Sequence, residues 1–141
     1  MHSPKPDVDA AFRALDQAAA QRRPWPEIDS ALRDIAAMPD ADHWTRSECA
    51  ARRLFLAAAY GLPVAEREAM LAKAREALEE GTFVYRVDVT IDACADDPGM
   101  VARQLPQLRK EIEEALAQGP DDELVRCLRR VDLHLERAGR K

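Results

Sequence analysis

Proline or glycine stands at positions 24, 26, 61, 63, 81, 98, 99, 106, 119 and 120, and Ala-rich segments of helical length run between them. Proline lacks a backbone N–H and clashes with the preceding turn, so each one opens, ends or distorts a helix. Alanine is the strongest helix former, and only five glycines in 141 residues interrupt it. A chain punctuated this way is expected to form short helices joined by tight turns and packed as antiparallel hairpins.

Apolar spacing supports that expectation. Asp7 is placed to cap a first helix to about Arg23, with Val8, Ala11, Phe12, Leu15 and Ala19 on one face. Pro26 suits a first helical position and opens a second helix to about Met38, with Ile28, Leu32 and Ile35 inward. Thr45-Arg-Ser-Glu48 fits a capping box, with Trp44 before it placed to staple onto Cys49. That third helix carries Leu54, Phe55, Leu56 and Ala59 and stops at Gly61. Pro63 opens a fourth, with Ala69, Met70, Ala74, Ala77 and Leu78 inward and Gly81 just past its end. Its charged residues, Arg67 and Glu68 among them, read as a solvated face. Asp97-Pro98 marks another start, and Pro106 is expected to kink or restart that helix before Leu108, Ile112, Ala115 and Leu116. Asp121 caps a last helix whose stripe is Leu124, Leu128, Val131 and Leu135.

Residues 82–95 satisfy two patterns. Phe83, Tyr85, Val87, Val89 and Ile91 alternate as in a strand, whereas Val84, Val87, Ile91 and Cys94 form a helical stripe. No partner strand is evident elsewhere, and a lone strand leaves its backbone groups unpaired. The fold class expected is therefore all-α: a compact bundle or short repeat-like stack of six or seven helices over residues 7–139, preceded by a flexible arm at 1–6. The alternative is α+β, with one strand at 83–91 pairing in a homodimer. The hairpin from Cys49 to Glu80 has the small residues and Gly turn of a tetratricopeptide unit. That repeat's Trp, Gly, Tyr, Ala and Pro pattern is not reproduced, so no repeat family is assigned.

Charge and cysteine usage narrow the function classes. Formal net charge is −5, which disfavours polyanion binding by the whole surface. Residues 124–141 nevertheless carry Arg126, Arg129, Arg130, Arg137, Arg140 and Lys141 against Asp132 and Glu136, a net +4, which leaves −9 on residues 1–123. Arginine outnumbers lysine 17 to 4 beside an Ala excess, as a GC-rich bacterial coding sequence would produce. Cys49, Cys94 and Cys127 are odd in number and lack a CxxC spacing, so neither a disulfide framework nor a zinc knuckle is expected. Met-His-Ser-Pro-Lys-Pro lacks the apolar run of a signal peptide and no stretch reaches membrane-spanning length, so cytoplasmic residence is expected by elimination.

No catalytic, cofactor or metal motif emerges. Asp88, Asp92 and Asp96 would form an acidic row on a helix, but no Glu-x-x-His or His-x-x-x-His accompanies them. Cys127 and His134 lie two turns apart on one helix, roughly 10 Å, too far for direct proton transfer. The expected function is a non-enzymatic protein–protein interaction module, an adaptor, chaperone-like or immunity-type binder. Its candidate contact residues are Trp25, Arg126, Arg129, Arg130 and Arg137. Two other readings are an enzyme or sensor assembled from dispersed His43, Asp88, Asp92 and His134, and nucleic-acid binding through the basic terminal helix.

Overall fold

Four side chains set helix starts by accepting the N–H three residues on, a group that no intrahelical carbonyl reaches. Asp42 takes the Thr45 N–H at 2.9 Å, Thr82 that of Tyr85 at 3.1 Å, Asp97 that of Met100 at 2.9 Å and Asp121 that of Leu124 at 3.1 Å. The computed structural model describes residues 6–79 and 82–139. Within them lie seven helices and no strand: α1 (Pro6–Ala20), α2 (Trp25–Ala36), α3 (His43–Ala59), α4 (Val64–Glu79), α5 (Phe83–Cys94), α6 (Pro98–Gln118) and α7 (Asp122–Ala138). The protein is thus an all-α bundle. None of these helices is long and apolar enough to cross a membrane.

Connections of three to six residues force each helix back along its predecessor. Cross-helix bonds join residues roughly equidistant from the intervening turn, as antiparallel neighbours require. Ser47 Oγ donates to the Ala77 carbonyl at 2.8 Å, Arg53 pairs with Asp29 at 2.7 Å, and Arg109 with Asp132 at 2.6 Å. Gly61 ends α3 at φ +70°, its N–H bonded to the Ala58 carbonyl and that of Leu62 to Ala57. This is a Schellman closure, and the left-handed residue in it favours glycine.

The helix α5 occupies the centre, packed against α3, α4, α6 and α7. Val87, Ile91 and Cys94 are 0% exposed, and Val89 and Ala93, on the other stripe, are also buried. Residues 82–95 therefore form no strand. Both apolar patterns exist because neighbours cover the helix on several sides, so burial outweighs the strand preference of its β-branched residues. A second, smaller apolar cluster joins Val8, Leu15, Ile28, Leu32 and Ile35 with Cys49. Trp25 packs against both clusters, its ring 5.7 Å from that of Tyr60. Tyr60 donates to the Arg23 carbonyl at 2.6 Å, and the Arg22 guanidinium lies over the Tyr60 ring at 4.5 Å. These contacts hold Arg22 at φ 56° and tie the α1–α2 turn to the end of α3.

Several expectations are corrected. Asp42, not Thr45, caps α3; the Thr45 hydroxyl itself donates to Asp42 at 3.0 Å. An ionised carboxylate is the stronger acceptor, and the earlier start adds a turn. Trp44 consequently lies inside the helix and is 47% exposed, so it does not staple the entry. The first helix starts at Pro6, so Asp7 lies within its first turn rather than before it, and it ends at Ala20. Arg67 is no part of a solvated face: it is 6% exposed and donates to the Ala93 carbonyl at 3.0 Å and to Asp96 at 2.6 Å. A guanidinium there satisfies the last turn of α5 and complements its dipole. Ala69 faces solvent. Of the arm expected at 1–6, Pro6 belongs to α1, while residues 1–5 and the helix stop at Gly81 lie outside the described residues.

Pro106 does not restart its helix, since α6 runs unbroken through it for 21 residues. The ring sits on the exposed side, where water can reach the Ala102 carbonyl left without a donor. Proline in a helix interior is about 3 kcal/mol less favourable than alanine. Pro106→Ala should therefore raise stability by about 1–3 kcal/mol in urea unfolding. A loss of stability would mean that the core depends on a bend at the proline.

Candidate partner-binding groove

At 100° per residue, Arg46, Cys49, Ala50 and Arg53 share one side of α3, and Trp44 and Glu48 the other. The first side opens onto a groove of about 290 Å³ between α2, α3 and α4. Leu32 and Ala36 line it from α2, Cys49, Ala50 and Leu54 from α3, and Met70, Ala74 and Ala77 from α4. The alanines account for the space: a methyl fills little of the gap between facing helices. All the charged residues that line it, Arg33, Arg46, Arg53 and Lys73, are cationic. Arg33 and Arg53 share Asp29 at 3.0 and 2.7 Å, whereas Lys73 makes no ion pair among the described residues. Burial first, then the neighbouring Glu48 charge, pushes the Cys49 thiol up to about 11, so at neutral pH it is an apolar wall rather than a nucleophile.

The dispersed acid and histidine residues converge only in part. Asp88 and Asp92 stand one turn apart on α5, and Arg130 from α7 donates to both, at 2.9 and 2.5 Å. The Cys127 thiol donates to Asp88 at 3.4 Å; burial, reinforced by that carboxylate, pushes it up to about 11. His134 feels Asp92, but burial and then Arg130 and Arg137 lower its pKa. Asp96 turns away to Arg67, and His43 lies against the Trp44 ring at 4.9 Å. Cys94 is sealed in the core, its thiol raised to about 12 by burial. Among the described residues, no group of three or more His, Cys, Asp or Glu is arranged to hold a metal ion.

The residues singled out from sequence fall in three places. Trp25 is half-buried between the two apolar clusters. Arg130 is engaged with α5. Arg126, Arg129 and Arg137 project from the exposed side of α7 around Leu133, itself 43% exposed, and make no ion pair among the described residues. The groove was missed. Its signal was present in the sequence: Arg46 and Arg53 flank Cys49 and Ala50 at heptad spacing, with no acid on that side of the helix. Comparison with protein-family models, curated proteins and solved structures finds no match to this chain.

His134 gives this region a pH signature. The unfolded imidazole titrates at about 6.5, and the folded one below that. In that window the unfolded chain binds more protons, so stability falls as pH drops through the unfolded value. Urea unfolding at pH 7 and pH 5 should show a smaller acid-induced loss for His134→Gln than for the parent protein. Equal losses would place His134 in an environment no different from water.

Proposed function

We propose that this protein is a non-enzymatic interaction module that binds an acidic, amphipathic segment of a partner protein in the α2–α3–α4 groove. One observation carries the reading: an apolar channel whose charged lining is wholly cationic, on a chain of net charge −5. An amphipathic helix laid into such a channel buries its apolar face against the alanines and Met70 and turns carboxylates toward Lys73 and Arg46. Charge complementarity of this kind selects partners and speeds encounter more than it adds affinity. An adaptor, chaperone-like or immunity-type role would each use such a surface. The raised thiols of Cys49 and Cys127, and the pairing of Asp88 and Asp92 with Arg130, further favour binding over chemistry.

Two labelled helical peptides with the same leucine face, one bearing Glu and the other Lys on the polar face, test this by fluorescence anisotropy. The Glu peptide should bind saturably, and the Lys peptide about tenfold more weakly or worse. Lys73→Glu with Arg46→Glu should reverse the preference. Absence of saturable binding, or equal affinity for both peptides, would sink the reading.

A further inference from the structure

The opposite side of α3 faces a second cavity, of about 310 Å³, closed by α1 and α5. That is at the lower end of the roughly 300–1,000 Å³ typical of small-molecule sites. The chain holds only two Trp, two Tyr and three Phe, yet Phe12, Trp44 and Tyr85 all line this one cavity. Two carboxylates, Asp9 and Glu48, line it with them, and no cation does. Rings and acids around one space form the surface that an organic cation prefers, because ring faces carry negative potential. Phe12 and Glu48 already hold the chain's own Arg52, which leaves Trp44, Tyr85 and Asp9 for a ligand. A hydrated inorganic ion would gain little from the rings, and an anion would be repelled.

The chain's own residues display this chemistry at the edge of the cavity. The Arg52 guanidinium lies over the Phe12 ring at 4.4 Å and bonds Glu48 at 3.0 Å. Arg52 thereby partly neutralises Glu48, whose charge and hydrogen bond, after burial, help to raise the Tyr85 phenol. Asp9, by contrast, makes no ion pair among the described residues. Trp44, which lines the cavity, is nearly half exposed, and the His43 ring lies 4.9 Å from its own. An exposed aromatic ring and a carboxylate without an ion pair among the described residues thus line the same cavity.

We propose that the cavity between α1, α3 and α5 binds a small alkylammonium cation, such as the trimethylammonium head of a choline-like ligand, with Trp44 and Tyr85 as its walls and Asp9 as its counter-charge. This site is independent of the groove, which lies on the other side of α3.

Titration of the whole chain with choline, followed by ¹H–¹⁵N NMR at the Trp44 indole N–H and the Thr45 and Ser47 amides, tests it. Choline should give saturable shifts, and its neutral tert-butyl isostere should bind about tenfold more weakly or not at all. A trimethyllysine amide forms the second arm: tighter binding than choline assigns the head to a modified side chain, weaker binding to a free small molecule. Trp44→Ala should weaken choline about tenfold, Trp44→Phe less, and Asp9→Asn about threefold. Trp44 and Asp9 are both exposed, so their replacement leaves the core intact, and unchanged amide dispersion verifies this. Equal binding of the neutral isostere, undiminished binding by Trp44→Ala, or no saturable shift with choline would overturn the proposal.

Discussion

The rest of the structure depends on the burial of α5. Twelve residues with Val, Ile, Tyr, Phe and Thr in excess make a poor helix in isolation, because β-branched side chains lose rotamer freedom against the preceding turn. They form one here because α3, α4, α6 and α7 all pack on them. Each fully buried Val or Ile side chain contributes about 1.5–3 kcal/mol, far above the few tenths by which propensity opposes it. Polar groups secure what burial leaves open. Arg67 satisfies the carbonyl of Ala93 in the last turn, and Arg130 bridges the strip formed by Asp88 and Asp92. Four helices thus share one core element, and the hairpins before and after it become a single body around that core.

Such an arrangement decides which arginines remain for partners. Many of the cations bridge helices: Arg75 and Arg86 both reach Glu111, Arg103 reaches Glu68, and Arg109 reaches Asp132. Glu111 illustrates the balance: burial would raise its carboxyl, but hydrogen bonds and charge from Arg75 and Arg86 bring it below the usual value. Where both partners are exposed, as in Arg109–Asp132, solvent screening leaves the pair little net stability, so its main effect is to set helix register. Lys73 at the groove and Arg126, Arg129 and Arg137 on α7 stand outside that network among the described residues. The third helix separates the two proposed sites: its Arg46–Arg53 side carries cations over an apolar channel, and its Trp44–Glu48 side carries rings and acids.

Local signals in the chain were legible where one residue controls the outcome. Asp97 and Asp121 cap as expected, Gly61 closes α3, and the stripes through Ile28, Leu32 and Ile35 or Leu124 and Val131 are buried. Features that depend on a distant neighbour were not. Nothing near Arg67 in the chain announces that the end of α5 will sit over it. Residues 82–95 were ambiguous for the same reason, since only the surrounding helices make both faces interior. Both candidate sites combine residues from three helices, and only the α3 contribution to each shows a local pattern.

Native-state hydrogen exchange tests the central claim most directly, because amide opening energies rank elements by how much must unfold to expose them. If α5 is the shared core, the amides of Val87, Val89 and Ile91 exchange only through global unfolding, with a free energy equal to that from urea denaturation. The amides of α1, which meets only the smaller cluster, open with less. Exchange from α5 as fast as from α1, or faster, would contradict the account.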